Sequence, residues 1–177
     1  MIKFMVLLGI VYFSRTGEQY SVGNITEGNT AIVAGMIADK TGGSLFEIKF
    51  ADDVYPAGYS ELIKFAQKEK RQKARPAITG TVDNFAEYDT VFIGYPNWWA
   101  EMPMPVYTFL ESHDFTGKNV VPFCTHEGSG FGGTDEKVRD VTRARMLRGF
   151  AIYGHTAQKD RDFAREKVNE WLSSIGF

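Results

Sequence analysis

Four short runs with no polar face constrain this chain most: Phe4–Phe13, Thr90–Tyr95, Asn119–Cys124 and Gly149–Tyr153. Each is too short for a helix of ordinary length and rich in Val, Ile and Phe. That is the pattern of strands covered on both faces in a parallel sheet. A fifth run, Leu45–Phe50, alternates instead: Phe46, Ile48 and Phe50 are separated by Glu47 and Lys49. Period-two alternation leaves one face wetter and predicts an edge strand. Helical stripes lie between the runs. Ile32, Val33, Met36 and Ile37 form one, and Tyr59, Leu62, Ile63 and Ala66 another. Val106, Tyr107 and Leu110 follow Pro103 and Pro105, which suit a helix start. Thr134 is predicted to cap a helix with Asp135 and Glu136 in its first turn. Ala164, Val168, Trp171 and Leu172 mark the last helix, ending near Gly176. Strict alternation of strand and helix predicts an α/β fold: a three-layer α/β/α sandwich around a five-stranded parallel sheet.

A chain of 177 residues fits one domain, spanning 1–177. Its hydrophobic share of 44% is enough for a full core. A net charge of −2 argues against nucleic acid or an anionic membrane as partner. The basic run Lys68–Arg75 reads as a solvated helix end, and Arg71–Glu87 as an irregular surface connection. Cys124 is the sole cysteine, so no intramolecular disulfide forms, which suits a reducing compartment; a packing role is expected for it. The run Phe4–Phe13 is too short to span a bilayer, and no cleavage pattern follows it. The expectation is a cytoplasmic protein.

In an open parallel sheet, ligands bind beyond the carboxyl ends of the strands. Three loops there carry unusual residues. After the first strand come Ser14, Arg15, Thr16 and Gly17, then the ten residues Glu18–Glu27, then Gly28, Asn29 and Thr30 opening a helix. Hydroxyls, an amide and free N–H groups at a helix start suit a phosphate; a plain cap and turn is the competing reading. After the third strand come Pro96, Asn97, Trp98 and Trp99. Two neighbouring indoles there suit a flat aromatic ligand, or else pack on helices or a subunit interface. After the fourth come Thr125, His126, Glu127, Gly128, Ser129 and Gly130, whose small residues let backbone approach a ring edge. Gly128–Gly133 formally matches G-x-G-x-x-G, but it follows the fourth strand, and no acid follows Tyr153-Gly154-His155. No metal-ligand spacing and no G-x-S-x-G motif is present.

The segments Tyr12–Gly17, Gly94–Pro105 and Pro122–Gly130 resemble the three FMN loops of the flavodoxin family, in its small branch with Tyr-Phe-Ser-Arg-Thr-Gly after the first strand. The resemblance covers nearly the whole chain. It implies that family's strand order, 2-1-3-4-5, with FMN at the switch point. It further implies that Ser14, Thr16, Gly17, Asn29 and Thr30 hold the phosphate, with Arg15 reaching phosphate or ring, or else lying on the surface. Pro96, Asn97, Trp98 and Trp99 would contact the isoalloxazine, and Thr125, His126, Glu127, Gly128 and Gly130 its other side.

Electron-carrier members of that family are strongly acidic, and many place a glycine beside the ring whose peptide flips to stabilise the one-electron form. This chain is near neutral, and no glycine lies between Tyr95 and Pro105. Two functions therefore stay open. One is FMN-based electron transfer to a redox partner protein or a small-molecule acceptor. The other is a nicotinamide-dependent FMN reductase of quinone, nitro or azo compounds. A homodimer would supply the latter's substrate room, with His126, His155 and Tyr153 lining it and Glu18–Glu27 forming a lid or an interface. A flavin-free binding module is a third reading. A phosphoacceptor receiver, which shares the strand order, is excluded by Tyr95-Pro96 and Ser14-Arg15 where it needs acids.

Overall fold

The computed structural model describes residues 6–51 and 55–177. In chain order its strands are β1 (Leu8–Tyr12), β2 (Gly17–Gln19), β3 (Gly23–Ile25), β4 (Ser44–Glu47), β5 (Lys49–Phe50), β6 (Ile78–Thr79), β7 (Thr90–Pro96), β8 (Asn119–His126), β9 (Arg145–Met146) and β10 (Phe150–Tyr153). Its α-helices are α1 (Asn29–Thr41), α2 (Tyr59–Gln72), α3 (Met104–Ser112), α4 (Thr134–Thr142), α5 (Gly154–Lys159) and α6 (Arg161–Ser174). The main sheet runs β10-β8-β7-β1-β4, all parallel, which is 2-1-3-4-5 when its five long-range strands are counted along the chain. The two-residue β9 joins β8 as a sixth member beyond the five expected.

The continuously apolar runs have a geometric cause. Successive side chains alternate between two cores, and both cores are dry. Ile10, Phe92, Val121, Phe123 and Ile152 face α1, α5 and α6. Val11, Val91, Ile93, Val120 and Cys124 face α3 and α4. Cys124 is buried, and that burial pushes its thiol well above the ordinary value, consistent with packing rather than thiolate chemistry.

Several local expectations are corrected. Phe4 and Met5 lie outside the described residues, and β1 starts only at Leu8. Its neighbour β7 starts at Thr90, so residue 7 has no ladder partner and its N–H donates to Asp89 Oδ2 (2.9 Å) instead. The run Leu45–Phe50 is not one strand. β4 ends at Glu47, because β1 ends at Tyr12, and Lys49–Phe50 turns away to pair antiparallel with Ile78–Thr79. That pairing, with a 3-10 turn at Phe85–Glu87, also orders part of the connection read as irregular. Thr134 does not cap α4. Gly133 (φ +84°) occupies the cap, while the buried Thr134 hydroxyl donates back to Phe131 O (2.7 Å). The short helix α5, between β10 and the last helix, carries too few residues to show a period.

Phe92 is fully buried and meets Trp171 and Phe177 edge-on at centroid distances of 6.0 and 5.5 Å. Phe92→Ala leaves a cavity at the sheet centre and should cost about 3–5 kcal/mol, read as a lower urea midpoint at unchanged slope.

Candidate functional site

β1, β7 and β8 all end at one edge of the sheet, and their loops meet there. After β1 the chain runs through Ser14–Thr16 beneath the start of α1. Ser14 Oγ accepts the Ala31 N–H (3.0 Å), which leaves the hydroxyl proton free to donate. A Cβ on Gly28 would overlap Ser14 Oγ and the Arg15 carbonyl, so only glycine lets the helix start come this close. Ile32 N–H returns to Gly28 O, while the N–H groups of Asn29 and Thr30 have no acceptor among the described residues. Asn29 Oδ1, an acceptor, is buried without a partner, and the side chain's donor is its Nδ2. Hydroxyl, amide and two free N–H groups at a positive helix end suit an anion. Thr30 Oγ1 and Thr125 Oγ1 are 2.8 Å apart in the interior and tie this cradle to β8.

Arg15 is turned away from the cradle. Its guanidinium donates to the carbonyls of Glu18 (2.6 Å), Pro56 (2.5 Å) and Ala57 (2.6 Å). Thr16 is exposed, and Gly17 (φ +86°) opens the β2–β3 hairpin, which is what residues 18–27 form. Glu18 Oε2 accepts the Tyr59 N–H at 2.7 Å, so the hairpin is anchored to the start of α2.

The tryptophan loop is a tight two-residue turn. Trp98 and Glu101 exchange backbone bonds of 2.9 and 3.1 Å. The central pair, Trp99 and Ala100, sits at φ +53° and +57°. Positive φ at both central positions marks a primed turn, which normally takes Gly or Asn. Neither is present, so the conformation is imposed from outside. Asn97 Oδ1 accepts the Ala100 N–H (2.9 Å), and its Nδ2 donates to Gly130 O (2.7 Å) and Phe131 O (3.1 Å). Lys70 Nζ donates to Trp99 O (3.1 Å), and Lys137 Nζ to Ala100 O (3.0 Å) and Glu101 Oε2 (2.8 Å). Burial works to raise the Glu101 pKa, but the bonds from Lys137, Tyr107 and Met102 outweigh it and hold the carboxyl below its usual range. The basic run at the end of α2 is thus exposed yet employed: Lys70 holds the turn, and Arg75 pairs with Glu111 (2.8 Å) over the Tyr107 ring. The two tryptophans differ. Trp98 packs edge-on against Phe13 and Tyr55 at 5.6 and 5.4 Å, whereas Trp99 is 40% exposed.

In the loop after β8, His126 Nδ1 accepts the Gly128 N–H (2.9 Å), which puts the ring proton on Nε2. Burial lowers the His126 pKa, favouring the neutral ring. Glu127 serves α5: Oε1 accepts the His155 N–H (2.8 Å), and Oε2 lies 2.6 Å from His155 Nδ1. Gly154 has no room for a Cβ between Asn29 and Glu127, which locks this corner.

These loops enclose a cleft of about 400 Å3, within the size range of small-ligand sites. Asn29, Pro96, Asn97, Trp98, Trp99, Thr125, His126 and Glu127 line it. Ser14, Arg15, Thr16, Gly17, Thr30, Gly128 and Gly130 lie outside the lining. Gly128 and Gly130 shape the β8 loop at positive φ. Ala100 and Ser129 from the expected loops, Gln19 and Tyr20 from the segment 18–27, and Tyr59 and Leu62 from α2 complete the wall. Tyr59 and Leu62 were visible as a helical stripe, but a stripe does not say whether it covers core or cleft. Behind the tryptophans lies a smaller cavity of about 140 Å3, containing Tyr55, Glu69 and Met102. There the Tyr55 hydroxyl donates to Glu69 at 2.5 Å. Burial raises the pKa of Glu69 despite that bond. Among the described residues, no helix is long and apolar enough to cross a membrane, and no cluster of His, Cys, Asp and Glu could hold a metal ion.

A family model described as flavodoxin matches residues 20–175. A candidate flavoprotein from Bacteroides eggerthii is 28% identical, with a TM-score of 0.75 over 97% of this chain and 98% of its own. A flavoprotein from Lactobacillus acidophilus, solved in complex with FMN, is 19% identical, with a TM-score of 0.66 over 88% and 98% of the two chains. Flavodoxin 2 from Bacillus cereus is 17% identical, with a TM-score of 0.57 over 96% and 97%. No curated protein matches the chain.

Two predictions follow from the turn and the cavity behind it. Ala100→Gly removes a Cβ penalty at φ +57° and should raise stability in chemical denaturation by about 1 kcal/mol. Glu69 binds its proton more tightly folded than unfolded, so its ionisation costs stability as pH rises from the ordinary glutamate range through its raised value. Glu69→Gln should therefore gain on the wild type across that window. Below the ordinary glutamate range their stability difference should be flat, as read from urea midpoints at several pH values.

Proposed function

The chain belongs to the flavodoxin family, and from that premise we propose that its cofactor is FMN and its work is redox chemistry at the cleft where β1, β7 and β8 end. One observation carries this reading: the unfilled backbone donors at the start of α1 reach the cleft at Asn29, and an exposed indole on a braced turn lines that same cleft. The residues fit the group. Ser14, Asn29 and the N–H groups of Asn29 and Thr30 would hold the phosphate. Thr16 stands beside them, while Arg15 is committed to carbonyls. Trp99 offers its face to the isoalloxazine, and Trp98 backs the turn from the core side. Thr125, His126 and the 128–130 backbone lie along the opposite edge, where the neutral His126 can donate from Nε2. Bound FMN supplies the one- or two-electron transfer that no side chain in this cleft can perform.

The electron acceptor is either a redox partner protein or a small molecule. The open cleft with aromatic walls and the near-neutral charge favour the second, and with it a nicotinamide-dependent reductase of quinone, nitro or azo compounds. Anaerobic titration separates the two. A substantial one-electron spectrum supports the carrier, and direct NADH or NADPH oxidation with a quinone present supports the reductase.

The purified chain should bind one FMN and quench its fluorescence; an unquenched titration would sink this reading. Asn29→Asp places a negative charge in the phosphate cradle and should weaken FMN at least tenfold while leaving riboflavin affinity unchanged. Trp99→Ala should weaken both ligands alike, since it acts on the ring.

A further inference from the structure

Two tyrosines, one on the hairpin and one at the start of α2, line the cleft together with the tryptophan turn. Tyr20, just beyond β2 in the β2–β3 hairpin, is 58% exposed. It stacks on Tyr59, the first residue of α2, at a centroid distance of 5.8 Å and an interplanar angle of 29°. Both line the same cleft as Trp98 and Trp99. Leaving a large ring this exposed is unfavourable unless something apolar covers it. The pair is also held in place. Arg15 bonds the carbonyls of Glu18, Pro56 and Ala57, Glu18 holds the Tyr59 N–H, and Gln19 Nε2 donates to Arg15 O and Thr16 O (3.3 Å each). A preorganised platform loses little entropy when a ring lands on it.

We propose that Tyr20 and Tyr59 form a second aromatic subsite, which receives an uncharged planar aromatic electron acceptor of the quinone type beside the bound flavin. This rests on the FMN reading above. The anion cradle at residues 14–16 and 28–30 lies outside the cleft lining except for Asn29, so the 400 Å3 cleft is left to ring systems rather than to the phosphate. Charge selects the class of occupant. Among the described residues, those lining the cleft include no Lys or Arg and one carboxylate, Glu127. The nearby guanidinium of Arg15 has its donors engaged by carbonyls. An anionic acceptor would find no counter-charge on the cleft wall, whereas a neutral quinone needs none.

The test uses FMN-loaded protein and menadione as the probe, with binding read by perturbation of the flavin visible band in the oxidised state, so no turnover is needed. Wild type should saturate. Tyr20→Leu should raise the menadione Kd about tenfold, the scale of one lost aromatic stack, while Tyr20→Phe should match wild type. Both variants should bind FMN within twofold of wild type. The subsite is overturned if wild type shows no saturable menadione binding, if Tyr20→Leu leaves the menadione Kd unchanged, or if Tyr20→Leu weakens FMN tenfold, which would place Tyr20 on the flavin itself. Failure of wild type to bind FMN at all refutes the earlier reading instead, and is measured separately by flavin fluorescence before menadione is added.

Discussion

Because β1 lies between β4 and β7, the chain leaves it on one side and returns on the other, and the loops that part there cannot cover each other. Every feature of the site depends on that constraint. From β1 the chain climbs into α1 on one face of the sheet, packed with α5 and α6. From β7 and β8 it passes into α3 and α4 on the opposite face. The gap between the two sets of loops is the cleft. Parallel pairing fills both faces with helices, and both faces must be apolar for this to be stable. The dryness of the four long runs and the existence of a crevice at the strand ends thus have the same origin.

A gap alone does not orient a ligand, and the chain uses hydrogen bonds across it to do so. Asn97 is the centre of this arrangement: one amide holds the turn at Ala100 and reaches the carbonyls of Gly130 and Phe131. The loops after β7 and β8 are thereby tied to each other. Lys70 from α2 and Lys137 from α4 hold the two central carbonyls of the same turn from different helices. A left-handed Trp-Ala pair would relax if left to itself; five such bonds from three elements make relaxation more costly than strain. What this secures is the exposed Trp99 indole on the cleft wall, beside Trp98, which lines the cleft while packing on Phe13 and Tyr55.

Long-range order was legible in the residues, and local attachment was not. Doubly covered strands show as unbroken apolar runs, so the parallel sheet could be read directly, and with it the edge where loops collect. Polar and glycine residues at that edge pointed to an anion and a flat ring. The attachment of each side chain depends on partners distant along the chain, and single-sequence patterns carry no such information. Arg15 is forty-one residues from Pro56, whose carbonyl it holds, and nothing in Ser-Arg-Thr-Gly distinguishes a phosphate contact from a loop fastener. Glu127 lines the cleft and at the same time caps α5, a helix of six residues too short to register as a period. Thr134 has the chemistry of a cap, but the preceding Gly133 already takes the left-handed position and leaves the hydroxyl to point inward.

The segment that interrupts the loop between β1 and α1 shows how an interruption can become part of a cleft wall. Residues 18–27 separate the hydroxyls after β1 from the helix start, yet Ser14 still meets Ala31 because the extra chain folds out as its own hairpin and rejoins at Gly28. The hairpin is fastened sideways to the loop before α2 and by Gln19 to the carbonyls of Arg15 and Thr16, and none of these bonds uses the N–H groups of Asn29 and Thr30. It therefore leaves the anion donors open and adds a wall where the cleft would otherwise face solvent. Its outermost ring, Tyr20, lies against Tyr59, so the wall it adds is aromatic. An acidic, flat docking surface suits a carrier that meets large partners. A walled cleft with near-neutral charge suits an acceptor small enough to enter, and the hairpin is the element on which that proposed reading rests.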